Sequence, residues 1–200
     1  MLRSIVQWFE NMKAIRVAEF AANPEFVPVT VPTPSPSPDQ YLIKITHCSP
    51  QHVDILHAQG RHQDCHPKKG WCHPPFILGY EFGGVVVKVP QDGSGKKLKA
   101  ADRVFGTVLG SFAEYVCAKD SDAIRRVPDG LTIETCTAMS GQTVSYAATV
   151  DVAKVKEDEI VLVRFCSVPI STTILMIDVL RRSAEQAADW EVFAVPWRRS

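Results

Sequence analysis

The chain has 200 residues, of which 46% are hydrophobic and 22% are charged, ordinary proportions for a globular protein. Twenty-two lysines and arginines balance 22 aspartates and glutamates, so the broad positive field that attracts nucleic acid is missing. Charged and prolyl residues interrupt every apolar run before the roughly 18 residues that a membrane span requires, and the first 20 residues lack the apolar segment of a secretory signal. We expect a soluble, cytoplasmic protein with neither nucleic-acid nor membrane partners.

All six histidines fall between residues 47 and 73, together with three of the six cysteines. An intracellular chain of this length has no need of disulfides, so free thiols are expected. The pairs Cys65-His66 and Cys72-His73 could supply four metal ligands, but adjacent side chains of an extended loop point in different directions. The Cys-x₂₋₄-Cys spacing of zinc sites is also missing. We therefore favour a loop without a metal.

The first elements in chain order are short strands joined by turns. Residues 12–17 predict a strand that follows a loosely held leader, residues 1–11. Proline at every second position makes residues 31–38 an extended connector that cannot be a sheet centre. Residues 41–47 predict a strand from their β-branched content, and residues 52–59 a short helix that a left-handed Gly60 ends.

The next segment predicts a barrel. Residues 61–78 read as an ordered loop that Trp71, His73 and Phe76 hold onto the body of the domain. Three strands are predicted after this loop, over residues 81–89, 103–106 and 112–118. Several short strands at this spacing, with turn residues between them, favour a closed or partly closed β-barrel.

The pattern changes after residue 130. Residues 133–138 and 143–150 predict helices, and residues 160–165 are a continuous apolar run typical of a strand buried on both faces at the start of an α/β domain. Residues 171–189 place apolar side chains at three- and four-residue steps, which predicts an amphipathic helix. Residues 192–195 predict one more strand.

Four motifs, in order, carry a resemblance to a known family: LGYEFGG at residues 78–84, DRVFG at 102–106, GSFAEY at 110–115 and VPDG at 127–130. Together they resemble the N-terminal domain of medium-chain dehydrogenases/reductases, in the zinc-independent quinone oxidoreductase branch, over residues 12–163. The stretch HPKKGWCHPP at residues 66–75 is similar to the fungal members.

The resemblance implies a mainly β (α+β) fold: a GroES-like, partly open β-barrel with short helices, followed by a rudimentary fragment of an α/β nucleotide-binding domain. The expected division is a leader over 1–11, the barrel over 12–130, the start of the nucleotide-binding domain over 131–165 and a divergent tail over 166–200 that forms one helix.

In zinc-dependent relatives, a cysteine and a histidine hold the catalytic metal where this chain has Gln51 and Tyr80. Neither is a sound zinc ligand, so the resemblance implies a site without zinc. It also implies hydride transfer from NADPH to a quinone or an enone, with Tyr80 and Asp54 catalytic, Gln51 and Trp71 contacting substrate, and Thr143 near the nicotinamide. Each of three residues has a structural alternative: Asp54 as a helix brace, Tyr80 as a core aromatic and Thr143 as an N-cap.

The tail departs from the family. A dinucleotide-binding turn requires glycines so that the backbone can approach the pyrophosphate, yet no glycine follows Gly141 and residues 166–171 read CSVPIS. The tail is either foreign sequence, as an altered reading frame or a retained intron would give, or a helix folded over the domain. The chain is then a reductase inactive by itself or a cofactor-free module that binds a small molecule or a protein. An uncovered apolar face at 143–150 and 160–163 predicts self-association.

Overall fold

The structure is a computed structural model that describes residues 10–95, 97–157, 159–167, 173–181 and 189–196. The chain divides into two compact units, Met1–Ser140 and Gly141–Ser200. Most of the predicted leader, residues 1–9, lies outside the described residues. No helix in the described part of the chain is long and apolar enough to cross a membrane.

The first unit is mostly sheet with a few short helices. Its strands are β1 Asn11–Val17, β2 Pro28–Pro32, β3 Gln40–Ser49, β4 Phe76–Ile77, β5 Glu81–Lys88, β6 Arg103–Thr107, β7 Tyr115–Lys119 and β8 Ala123–Arg126. Its helices are α1 His52–Ala58 and α2 Ile133–Met139, with a single 3₁₀ turn at Gln63–Cys65. The predicted strands are confirmed, while β2, the two-residue β4 and β8 were not predicted as strands.

The main sheet is antiparallel and five-stranded, in the order β7-β3-β5-β6-β8. Irregularities in the β3–β5 register, at Leu42/Ile43 and Ile45/His47, let the sheet curl. Gly84 in β5 faces the backbone of Lys44 so closely that a Cβ would overlap its carbonyl oxygen. The concave side is filled by the core residues Tyr41, Ile43, Phe82, Val86, Leu98, Val104, Val116, Ala118 and Ile124.

A second sheet, β2-β1-β4, partly closes the barrel. The Ile15 amide donates to the Phe112 carbonyl at 2.8 Å, and the Leu78 amide donates to the Ile15 carbonyl at 2.8 Å. The proline-bearing β2 pairs with β1 alone and lies at the sheet edge, as proline requires. The mainly β, partly open barrel predicted from the sequence is therefore confirmed.

The second unit differs from the sequence prediction. It contains α3 Gln142–Tyr146, which continues into a π-helical segment Ala147–Val152, and then β9 Ile160–Ser167, β10 Thr173–Arg181 and β11 Asp189–Pro196. The three strands form an antiparallel sheet in the order β11-β10-β9. A parallel α/β sheet was expected, with β9 buried on both faces, yet Leu162 of β9 is 47% exposed.

The single helix predicted over residues 171–189 is wrong for the described part of that range. Residues 173–181 form the central strand of the sheet, paired along their whole length with β9 and β11. The segment is rich in β-branched residues, which lose rotamer freedom in helices and pack well on a pleated surface. In this strand the backbone is paired on both sides, with β9 and with β11. Residues 182–188 lie outside the described residues.

Candidate active site

The start of α1 and the start of β5 meet at a small polar cluster. Gln51 precedes the first turn of α1, and its amide N–H donates to Asp54 Oδ2 at 2.7 Å. The side-chain Nε2 of Gln51 donates to Glu81 Oε2 at 3.0 Å and to Ser49 Oγ at 3.1 Å. Gln51 therefore links two carboxylates, one on the helix and one on the sheet.

Both carboxylates are buried, which favours their protonated forms. Burial is the main cause that raises the pKa of Asp54, and the neighbouring Glu81 raises it further, while the hydrogen bond from the Gln51 backbone lowers it. Burial likewise raises the pKa of Glu81 against the lowering effect of bonds from Gln51 and Ser49. One oxygen of Asp54, Oδ1, is buried without a hydrogen-bond partner among the described residues. Asp54 thus has the capacity to hold a proton at an atom that no other group occupies.

Tyr80 directly precedes Glu81 in the sequence, immediately before β5. Gly79 turns the chain there with φ +96, and the Tyr80 ring stacks on the ring of His57 with centroids 5.8 Å apart and planes 5° from parallel. Burial, followed by the charges of Asp64 and Cys72, raises the pKa of Tyr80. Its hydroxyl therefore keeps its proton and can act as a hydrogen-bond or proton donor.

Trp71 is placed differently from the expectation that it packs against the barrel, because its side chain is 51% exposed. His73 is also exposed and contacts the Gly70 carbonyl at 3.1 Å. Phe76 does pack as predicted, against the small cluster of Val17, Ala58 and Leu78. The loop is held instead by its own backbone bonds and by burial of Cys65 and Cys72.

Thr143 is the second residue of α3 in the second unit. The helix begins at Gln142, so Thr143 lies inside the first turn and not at the N-cap position that was its structural alternative. Of the five predicted site residues, Gln51 and Asp54 are in direct contact. Tyr80 is the residue immediately before Glu81, the first residue of β5.

Sequence reasoning missed Glu81 and His57. Glu81 stands in the LGYEFGG motif directly after Tyr80, and a glutamate that opens an otherwise apolar strand is a signal for a buried, partnered carboxylate. His57 was not singled out among the six histidines, although it falls one turn after Asp54 on the buried side of α1.

Known proteins support this assignment of the fold. Residues 37–129 match the family model of the alcohol dehydrogenase GroES-like domain. The bovine quinone oxidoreductase-like protein 2 is 29% identical over 119 residues, which is 59% of this chain and 31% of that protein. The quinone oxidoreductase from Coxiella burnetii superposes with TM-score 0.63 at 25% identity, over 74% of this chain and 47% of its own.

A mycobacterial protein solved in complex with NADPH superposes with TM-score 0.62 at 25% identity, over 74% of this chain and 44% of its own. The barrel is thus a GroES-like domain of the alcohol dehydrogenase type. Through it the chain is similar to the medium-chain dehydrogenases/reductases, in the quinone oxidoreductase-like group. The chain spans less than half the length of each of these relatives.

The dinucleotide of such relatives requires a phosphate cradle, which in this fold class is a glycine turn between a strand and the N-terminus of a helix. Here β9 pairs antiparallel with β10, Ser167 opposite Thr173, and every described residue after β9 is in a strand. No helix begins among the described residues that follow β9.

Proposed function

We propose that the barrel is the substrate-binding part of a zinc-free oxidoreductase that acts on a small conjugated carbonyl compound, a quinone or an enone. The observation that carries this proposal is the Gln51–Glu81 hydrogen bond at the position where zinc-dependent relatives hold their metal. The Gln51 amide nitrogen bonds one Glu81 oxygen, and burial favours the neutral forms of Glu81 and Asp54, so no cation is needed to balance charge there.

Reduction of a quinone or an enone adds a hydride and a proton to the substrate. The proton is what this chain's own residues can supply. Tyr80 and Asp54 both have a pKa raised by burial, so each keeps its proton to a higher pH than the free side chain does. We assign Tyr80 as the donor to the substrate oxygen, with Asp54 as the second proton-holding group, while Gln51 and the exposed ring of Trp71 contact the substrate.

In the family, NADPH supplies the hydride, and Thr143 is the residue of this chain that the resemblance places near the nicotinamide. We propose that the C-terminal part of this chain does not hold that cofactor. The antiparallel pairing of β9 with β10, together with proline and branched side chains in CSVPIS, supports this proposal. Reductase activity of this chain by itself is then expected to be absent.

Calorimetric titration with a small naphthoquinone tests the substrate assignment without any nucleotide. We expect saturable binding that Tyr80→Phe weakens about 3- to 10-fold, the equivalent of one net hydrogen bond. Tyr146→Phe is the control, because Tyr146 is exposed and lies in the second unit. Equal binding by the protein and both variants would remove Tyr80 from the site, and no binding at all would remove the substrate class.

A further inference from the structure

A second side-chain cluster lies at the other end of α1, where the loop after the helix folds back. His57 is in the last turn of α1, and His62 and Asp64 flank the start of the 3₁₀ turn. Each of the three offers one metal-ligating atom, and these atoms all lie within 4.8 Å of one another. None of the three belongs to the Cys-His pairs that the sequence suggested as ligands.

His57 is the feature that points to a ligand. Its side chain is 1% exposed, and neither ring nitrogen has a hydrogen-bond partner among the described residues. Asp64 Oδ2 is 3.8 Å from Nε2, which is too long for a hydrogen bond. A buried imidazole left in this state is costly, so an additional group between His57 and Asp64 would satisfy it.

Two of the three separations between the ligand atoms approach those around a bound metal ion. His62 Nδ1 is 3.3 Å from Asp64 Oδ2, and His57 Nε2 is 3.8 Å from the same oxygen. Ligand atoms bound to zinc at about 2.0–2.1 Å in a tetrahedron are roughly 3.3 Å apart. A shift of a few tenths of an ångström would bring the His57 and Asp64 atoms to that separation.

The backbone of the loop fixes the position of Asp64. The Cys72 amide donates to the Asp64 carbonyl at 2.9 Å, and the Cys65 amide donates to the His62 carbonyl at 3.0 Å. Gly70 passes so close that a Cβ there would overlap the same Asp64 carbonyl. The ligands are thus held near one another by contacts that do not depend on a metal.

We propose that His57, His62 and Asp64 bind one zinc-class ion that fastens the loop to the end of α1, with water as the fourth ligand. Two imidazoles and one carboxylate suit Zn²⁺ better than Mg²⁺ or Ca²⁺, which prefer oxygen ligands in larger number. The site uses neither Gln51 nor Tyr80 as a ligand, although the His57 ring stacks on Tyr80, so it does not restore the metal of the zinc-dependent relatives. It departs from the expectation that the chain binds no metal.

Calorimetric titration of the chelator-treated protein with Zn²⁺ alone is the test. We expect one equivalent to bind, and His62→Gln and Asp64→Asn each to weaken binding at least about tenfold, in line with the loss of a direct ligand. His52→Gln is the matched control, since His52 is exposed on the first turn of the same helix. His57→Ala can fail to fold because it empties a buried site, so the two loop variants carry the conclusion.

Titration with Co²⁺ identifies the ligand type. Nitrogen and oxygen ligation of Co²⁺ gives visible d–d bands without the near-ultraviolet thiolate band, and we expect that spectrum. Addition of Mg²⁺ alone, as the control, should give no such bands. A thiolate band would overturn the assignment by placing the metal on Cys65 or Cys72. Absence of saturable Zn²⁺ binding, or equal affinity in His62→Gln, Asp64→Asn and His52→Gln, would also overturn it, as binding at adventitious sites only.

Discussion

At the scale of single residues, Gln51 has two roles that follow from one position. It precedes α1, where its backbone amide bonds Asp54, and its side chain reaches Glu81 in β5. The contact with Asp54 could be predicted, because a carboxylate three residues after a helix start commonly accepts from the backbone there. The contact with Glu81 could not, since it depends on a long-range crossing of helix and sheet.

The buried carboxylates make stability depend on pH. Because the folded-state pKa values of Asp54 and Glu81 are raised, the folded protein binds more protons than the unfolded chain above the ordinary carboxyl pKa of about 4. The free energy of unfolding therefore falls as pH rises through the window between the ordinary and the raised values.

Glu81→Gln removes one of the two buried carboxyl groups. The variant should therefore gain stability relative to the unsubstituted protein as pH rises through that window. Urea denaturation at a series of pH values measures the difference. Glu25→Gln is the control, because Glu25 is exposed. A difference between Glu81→Gln and the protein that does not change with pH would contradict the raised pKa of Glu81.

Gly79 sets the direction of Tyr80. Its φ is +96, and a Cβ there would lie 2.5 Å from the Phe112 amide nitrogen. Gly79→Ala should lower the free energy of unfolding by about 1–3 kcal/mol through overpacking. The left-handed backbone conformation should lower it by roughly a further 1–2 kcal/mol.

Gly130→Ala separates the two effects. Gly130 has φ +84 with nothing within 4 Å of a Cβ, so only the backbone cost applies there. Thermal unfolding of both variants gives the comparison. Equal losses in the two would show that the approach of Phe112 to Gly79 is not tight.

At the scale of elements, the barrel was predictable and the tail was not. Strands such as β5 and the short helix α1 carry their own signals: β-branched runs, a glycine end and a start residue that bonds the first turn. The segment of β10 carries two signals that conflict, an apolar spacing of three and four and a high content of β-branched residues. Partner strands decide between them, and those partners are not evident from a local pattern.

The tail can be examined directly by nuclear magnetic resonance. The pairing of Met176 with Arg164 on one side and Ala194 on the other predicts cross-strand contacts between backbone protons at these positions. No contacts between protons three residues apart, typical of a helix, are expected over residues 173–181. Their presence would return the segment to the helix that its spacing suggests.

At the scale of the whole molecule, the second unit exposes apolar side chains. Tyr146 is 62% exposed and Val150 and Val152 are each 43% exposed. We propose that these exposed apolar side chains mediate self-association, because exposed apolar surface commonly marks an interface.

Sedimentation equilibrium of the double variant Val150→Asp, Val152→Asp tests this proposal. We expect the protein to associate as its concentration rises and the double variant to remain monomeric. Val27→Asp is the control, because Val27 is 61% exposed in the first unit. A monomer at every concentration would contradict the proposal, as would an equal effect of Val27→Asp.

We propose a GroES-like barrel of the family type joined to a C-terminal part that does not hold NADPH. Titration of the 200-residue chain with NADPH, followed by the fluorescence of the reduced nicotinamide, tests it most directly, with the mycobacterial relative solved with NADPH as the positive control. The chain should give no saturable change in nicotinamide fluorescence at NADPH concentrations that saturate the mycobacterial relative. Saturable binding of one NADPH per chain, lost when proline and branched residues of CSVPIS are changed, would contradict the account.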